Sequence, residues 1–481
     1  MGNVCYRSVG AGAGPLATPT REARAAATGR RRSVQARLPH IFPNRAPFVT
    51  EEAEAVSRHR SMTRRTFLAR SAALAAIPYV VPSGARGADG SVAPSERITM
   101  GAIGIGGRGT YDLQWFMRNP DVRFVAMCDA RRDRREAAKA LVDQAYGNTD
   151  CATYIDPREM LARDDIDAVL IATSDRWHAM ASIMAMRAGK DVFSEKPCAM
   201  NVGESQALAE TAREFGRIFQ AGTQRRSEPN FVFIVQLARL GYLGKLKTLT
   251  AHIVHGFAPH VWLPAQPEPP KDEVDYDLYL GPVPWHPYNR GYVDSRHAHA
   301  DLWAGGLHEW GAHTFDLCQF ANDTAHTGPV EFVYPNNDTS EGLTARYANG
   351  VELVMTASGF PGTCGVRFTG EDGVTECSDG HDPTATPASL LGERDRILRD
   401  YVAKTRRSLD HVRDFLDCVK SGRQPIANAD VARKAHNICH VGAICMALKR
   451  DLRWDPDREE FIGDDEANRM RFRANRAPWV L

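Results

Sequence analysis

The chain has 481 residues, 43% of them hydrophobic and 25% charged, with a formal net charge of +1. That is long enough for two or three domains, at about 150 residues per domain. The near-neutral balance excludes a global field that attracts nucleic acid or an anionic membrane. Ten singly scattered cysteines, with no CxxC, specify neither a disulfide framework nor a cysteine-based metal site.

Residues 1–61, which include GAGAGPLATPTREARAAATGRRRSVQARLP, are rich in Arg, Ala, Pro and Gly and carry no helical or strand period. Such a stretch buries too little apolar surface to offset its ordering entropy. It is expected to be a disordered extension or the product of a start codon placed too early. The second reading is favoured because Met62 stands directly before a leader-like segment. There Thr63-Arg64-Arg65-Thr66-Phe67-Leu68 resembles the twin-arginine export motif. Ser71 to Val81 is a short apolar run, and Ser83-Gly84-Ala85 through Ala88 supplies small residues for cleavage. The run is too short to span a bilayer, which takes about twenty residues. Residues 62–88 are therefore expected to be a twin-arginine signal peptide that leaves no stable membrane anchor and sends the protein to the periplasm or otherwise out of the cytosol. That route carries folded chains, often with a cofactor already inserted.

Residues 95–222 predict a doubly wound parallel sheet. Arg97 to Ile105, RITMGAIGI, suits a buried parallel strand. It leads into Gly104-Ile105-Gly106-Gly107-Arg108-Gly109, a GxGxxG, and then into the helix-like TYDLQWFMRN. The glycines Gly104, Gly106, Gly107 and Gly109 permit a tight turn and close approach of a pyrophosphate to a helix N-terminus. A second strand, VRFVAMCD, ends in Asp129, twenty residues past Gly109, where a carboxylate binds the ribose hydroxyls of NAD and repels the 2′-phosphate of NADP. Arg131 and Arg132 follow closely and offer that phosphate a partner, so NADP is the less favoured cofactor. AVLIATS reads as the next strand, HAMASIMAMRAG as a helix closing at Gly189, and DVFSEKP as a strand ending in Glu195-Lys196-Pro197.

From 223 to 481 the pattern changes. LKTLTAHIVHG, VEFVYP and TARYANGVELVMTAS alternate like strands with no helices between them, which predicts a mostly antiparallel or mixed open sheet. Residues 405–450 carry the apolar spacing of two helices. This region, with those C-terminal helices, is expected to form one α/β substrate-binding and oligomerisation domain.

The glycine loop and the Glu-Lys-Pro strand, together with AGTQRRS, LGPVPWHPYN, GGLHEWGAHTFD and the terminal RWDPDREEFIGDDEANRMRFRANRAPWVL, resemble the Gfo/Idh/MocA oxidoreductases, relatives of glucose-fructose oxidoreductase and inositol dehydrogenase. The likeness covers nearly everything after residue 96. In Thr173-Ser174-Asp175-Arg176-Trp177-His178 the family's Thr and His are kept and its Pro is replaced by Ser. The resemblance implies that Arg108, Thr173, Ser174, His178, Glu195 and Lys196 help hold the cofactor, and that Lys196-Pro197 is cis. It implies further that Lys196 stabilises a developing alkoxide and that His313 is the general base. Glu309 stands where the family has Asp, one methylene shorter, which bears on which hydroxyl is held. Glu309 and His313 are i,i+4 on one helix face in any case.

Arg225 and Arg226 leave the last strand near the cleft, and Arg225 is expected at the ligand. Trp262, Trp285, Tyr288, Tyr292 and Trp303 offer faces for sugar stacking or simply loop packing, with Trp285, Trp303 and His308 as substrate candidates. His297, His299, His308 and His313 cluster in sequence without regular ligand spacing, so no metal is expected. The resemblance thus implies an NAD(P)-dependent enzyme that moves a hydride between a carbohydrate hydroxyl carbon and a tightly bound nicotinamide, in a homo-oligomer. Two alternatives remain: a redox-neutral, NAD-dependent glycoside hydrolase that oxidises, eliminates, hydrates and reduces, and a non-catalytic sugar- or NAD-binding module. Intact Lys196 and His313 speak against the module.

Overall fold

The computed structural model describes residues 92–254, 256 and 258–481. Both predicted N-terminal segments, 1–61 and 62–88, lie outside the described residues. The first half of the fold alternates strand and helix: β1 (Ile98–Ile103), α1 (Gly107–Met117), β2 (Val122–Cys128), α2 (Arg132–Tyr146), β3 (Ala152–Tyr154), α3 (Pro157–Leu161), β4 (Ala168–Ile171), α4 (Asp175–Arg187), β5 (Asp191–Ser194), α5 (Val202–Glu214) and β6 (Phe219–Ala221). The six strands are all parallel in the order β3-β2-β1-β4-β5-β6. The order reverses at β1, so the carboxyl ends of β1 and β4 open a crevice, the place where such sheets bind ligands. Helices on both faces explain why β4 and β6 are buried along their whole length.

The chain then runs through α6 (Pro229–Arg239), β7 (Leu246–His252), the short helices α7 (Tyr276–Leu280) and α8 (Arg290–Asp294), and α9 (Gly306–Ala321). Further on come β8 (Glu331–Val333), β9 (Thr344–Arg346), β10 (Glu352–Thr356), β11 (Val366–Gly370), β12 (Val374–Cys377), β13 (Thr384–Thr386), α10 (Arg394–Thr405), α11 (His411–Ser421), α12 (Ala429–Leu448), β14 (Leu452–Asp455) and β15 (Glu460–Phe461). These strands form one sheet ordered β13-β12-β11-β7-β10-β9-β8-β14-β15. Only β7 and β10 pair in parallel. The fold class is the one the sequence predicts. The period-2 pattern sets which face is covered: Leu249, Ala251, Leu353 and Met355 are buried toward helices α6, α9 and α12, while Lys247, Arg346, Glu352 and Arg367 line a half-buried to exposed face.

The predicted split at residue 222 needs one correction. Helix α11 packs not in the second domain but on the parallel sheet, where Val412, Phe415 and Leu416 join Phe116, Phe124 and Phe193 in one core. Phe415 lies 5.8 Å from Phe193 and 6.0 Å from Phe116, edge to face. Its apolar face recurs at i, i+3 and i+4, and the parallel sheet is the surface that face covers. The chain end returns as well, setting Trp479 against Trp177 at 4.8 Å.

Candidate active site

Two adjoining cavities open at the crevice. The first, of about 470 Å³, is lined by Gly104, Gly106, Gly107, Arg108, Asp129, Thr173 and Ser174 among others. Gly104 has φ +77°, and a Cβ there would stand 2.4 Å from the Thr173 Cγ2 and 2.5 Å from its Cα, so only glycine lets β1 and β4 approach this closely. At Gly109 an added Cβ would meet the Gly104 carbonyl oxygen at 3.0 Å, which ties α1 to the strand. Gly106 and Gly107 face open space at the head of α1, where free N–H groups suit a phosphate.

Asp129 ends β2 and accepts from the Arg131 amide at 2.9 Å; burial pushes its carboxyl up to about 6. Arg131 is engaged by Asp133 at 2.6 Å and by the Val293 carbonyl at 3.1 Å, and Arg132 pairs with Asp272. The opposite wall is a strap from the second half of the chain. It is stitched to the parallel domain by Arg132 N–H to Glu273 O at 2.8 Å and Asp275 N–H to Ala130 O at 3.0 Å. Tyr279 and Val293 to His297 line this wall.

The second cavity, about 280 Å³, is polar and crossed by ion pairs. Lys196, just past β5 in a cis Lys196–Pro197 peptide, reaches across to α9 and donates to the Glu309 carbonyl at 2.8 Å and to its Oε1 at 3.3 Å. Both Glu309 carboxylate oxygens also accept from Arg296 Nη2, at 2.8 Å each, and Oε2 accepts from Trp303 Nε1 at 3.1 Å. Burial alone would raise its carboxyl, but Lys196 and Arg296 outweigh it and hold the group near 2. His313, one turn along α9, is buried. Its Nε2 stands 3.2 Å from the Arg225 Nη1, and its Nδ1 has no hydrogen-bond partner among the described residues. Because a guanidinium can only donate, Nε2 carries the lone pair and Nδ1 the proton. Burial, then Arg225 and Lys196, drive the imidazole well below its ordinary pKa, so it is neutral. Arg225 is itself fixed by Asp379 through contacts of 3.0 and 2.6 Å.

Between the cavities, Arg108 bonds Glu195 at 3.1 Å and pairs with the buried Asp112 at 2.9 Å. Gln224 Nε2 and the Lys196 amide also donate to Glu195, at 2.6 and 3.1 Å. Arg108, Ala172, Thr173 and Arg296 line both cavities, so a ligand in one abuts a ligand in the other. His178 borders the second cavity, with Nδ1 2.7 Å from the Pro197 carbonyl and Nε2 3.2 Å from that of Thr173. Burial keeps the imidazole neutral, so it donates to one of these two carbonyls.

Not every predicted substrate residue arrives. His308 turns into the core, its Nε2 2.8 Å from His440 Nδ1, because successive helix positions face different directions. Trp285 is 46% exposed and packs on Tyr276, away from both cavities. Trp303 acts through Glu309. Asp175, Arg296, Trp310, Thr363 and Asp379 line the second cavity without having been singled out. Asp175 and Trp310 lie inside quoted motifs, whereas Thr363 and Asp379 sit in loops of the second sheet with no local signal.

Family comparisons agree with this anatomy. Residues 98–223 match the oxidoreductase family's NAD-binding Rossmann fold, and residues 240–481 match its C-terminal alpha/beta domain. The chain belongs to the Gfo/Idh/MocA oxidoreductase family. Myo-inositol 2-dehydrogenase of Thermotoga maritima is 29% identical over 386 residues, 76% of this chain and all of that protein. The alpha-N-acetylgalactosaminidase of Shewanella oneidensis is 32% identical over 184 residues, 36% of this chain and 39% of that protein. Among solved structures, myo-inositol 2-dehydrogenase from Lactobacillus plantarum superposes with TM-score 0.51 at 18% identity, covering 74% of this chain and 99% of its own. An aldose-aldose oxidoreductase from Caulobacter crescentus in complex with glycerol gives 0.51 at 16%, covering 74% and 99%. At these identities the structures speak for the fold alone. As a member of this family the protein is an oxidoreductase with an NAD-binding fold.

Proposed function

We propose that the protein oxidises a hydroxyl of a carbohydrate, with tightly held NAD as hydride acceptor. The observation that carries this reading is Lys196 and His313 in one cavity that shares a wall with the glycine-loop cavity. The glycine loop and Asp129 would hold NAD in the first cavity, where its nicotinamide would serve as hydride acceptor. The chain's own residues manage the proton. A sugar hydroxyl placed between Lys196 Nζ and His313 Nε2 gives its proton to the imidazole as the ammonium steadies the alkoxide, and a carbonyl forms as the C–H pair departs. For that, the hydroxyl takes the place of Arg225 at Nε2. The cations of the cavity, Arg108, Lys196, Arg225 and Arg296, are matched by Glu195, Glu309, Asp379 and Asp175. Such balance suits a neutral polyhydroxy ligand. NAD is favoured over NADP because Asp129 borders the first cavity while Arg131 and Arg132 are already paired with Asp133 and Asp272.

The glycosidase relative and the longer Glu309 favour a second reading, transient oxidation followed by elimination, hydration and return of the hydride. Purified protein separates the two. Accumulation of reduced bound NAD on adding sugar supports the dehydrogenase; release of aglycone from chromogenic glycosides without added cofactor supports the hydrolase. If no dinucleotide binds, both fall.

The reading includes export. Outside the cytosol no NAD pool replenishes the enzyme, so a retained cofactor suits the twin-arginine segment, and a second substrate would take the hydride back. Replacing Arg64 and Arg65 together by Lys should leave the protein in the cytosol; unchanged export would exclude that route. Homo-oligomerisation through the solvent face of the second sheet completes the proposal, with light scattering as its test. No helix among the described residues is long and apolar enough to cross a membrane.

A further inference from the structure

Of the histidines clustered in the sequence, His297 and His313 line the two cavities and His308 is bonded to His440 in the core. His299 goes elsewhere. Folding brings it to His286, thirteen residues upstream, and to Asp301, in a cluster that borders neither cavity. One ligating atom from each of the three lies within 4.8 Å of the others. His286 Nε2 is 2.9 Å from Asp301 Oδ2, and His299 Nδ1 is 3.4 Å from the same oxygen. Ligands bonded at about 2.0–2.1 Å to a tetrahedral zinc stand roughly 3.3 Å apart, so these separations need little adjustment.

Two hydrogen bonds link the three residues: the Asp301 amide donates to His299 Nδ1 at 3.1 Å, and His286 Nε2 donates to Asp301 Oδ2 at 2.9 Å. A bound ion would take the His299 Nδ1 lone pair from the amide and displace the proton on His286 Nε2. Both imidazoles are almost fully buried, 0% exposed at His286 and 2% at His299, so the cluster lies inside the fold. Asp301 is oriented from behind, since Arg473 bonds its Oδ1 and leaves Oδ2 facing the histidines. A carboxylate held this way by an outer partner is a common feature of metal sites. Trp262 covers the cluster, its ring 4.6 Å from His286 and 4.8 Å from His299, and His260 stands beside it, 5.7 Å from His299 between ring centres.

We infer that His286, His299 and Asp301 form a site for a divalent transition ion of the zinc class, with water or His260 as the fourth ligand. Two imidazoles and one carboxylate suit zinc, cobalt or manganese better than magnesium or calcium. The guanidinium of Arg473 opposes a dication, but its side chain is 31% exposed and therefore screened. The site's role follows from its position. It ties His286 to His299 and Asp301, on either side of the Val293 to His297 segment that forms part of the cofactor-cavity wall, while Arg473 of the C-terminal tail holds Asp301 directly. The metal is a staple and takes no part in hydride transfer.

The test is to strip the full-length protein with chelator and titrate Zn(II), Co(II) and Mn(II) separately, counting metal per chain by elemental analysis after gel filtration. About one zinc per chain is expected. His299→Ala and Asp301→Asn should each weaken it by at least about 100-fold, with circular dichroism and retained dinucleotide binding reporting that the variants are folded. Zinc should raise the melting temperature of the wild-type protein and not of folded His299→Ala. Binding of none of the three ions, or equal zinc retention in folded His299→Ala and wild type, would overturn the assignment.

Discussion

The two cavities share a wall but are built by opposite strategies. One wall of the cofactor cavity is a contiguous strand–loop–helix–strand run, Ile98 to Asp129, whose glycines clear space and whose backbone offers the bonds. The second cavity draws one to four residues from each of several distant segments, and these hold one another by charge: Lys196 and Arg296 on Glu309, Arg225 on Asp379, Arg108 on Glu195. A backbone-built site tolerates side-chain change and fails when space is filled. A charge-built site does the reverse.

The sharpest test is Lys196→Met, expected to slow reduction of bound NAD by about 10³-fold in single-turnover measurements while leaving NAD affinity within a few fold. An equal loss in affinity would mean that the cavities are not separable. Gly104→Ala should do the opposite, weakening NAD binding by about 100-fold in calorimetry through the 2.4 Å contact with Thr173. Unchanged affinity would show that β1 and β4 can move apart.

Acid is the third probe. His308 and His436, buried on the α9–α12 side, are held at about 4 chiefly by burial, against 6.5 in an unfolded chain. Between those values the unfolded chain binds protons that the folded one does not. Stability is complete above pH 6.5 and is lost as pH falls toward 4, by roughly 2 kcal/mol per such histidine at pH 5. Melting temperatures that stay flat across this window would contradict neutral burial. Asp129→Ala is a smaller perturbation, expected to cost about 10-fold in NAD affinity and to narrow the preference over NADP. Least of all, Trp285→Ala should change turnover by less than about two-fold, since that ring touches neither cavity; a larger loss would bring it back to the substrate.

The cofactor side was legible because its evidence is local. The glycine spacing, the strand before it and Asp129 twenty residues on are one continuous stretch, and the structure keeps them together. Lys196, Glu309 and His313 were legible through motif and helical spacing, and they do meet in one cavity. Arg296 and Asp379 were not, since nothing near them in the chain marks the carboxylate or guanidinium they will face. His308 and Trp285 illustrate the converse: a plausible residue beside a motif can point the other way. The core that helix α11 joins is likewise illegible in the sequence, as an amphipathic stripe states that a face is buried but not against what.

By itself, then, the sequence determined the alternating and antiparallel halves and the glycine turn, because backbone conformation and periodicity are set by neighbours in the chain. Only the tertiary structure decided which charges neutralise one another, that Arg225 rests on the imidazole lone pair, and that His286, His299 and Asp301 converge. Those are properties of distance between segments far apart in the chain, and burial makes each pairing obligatory once the segments meet.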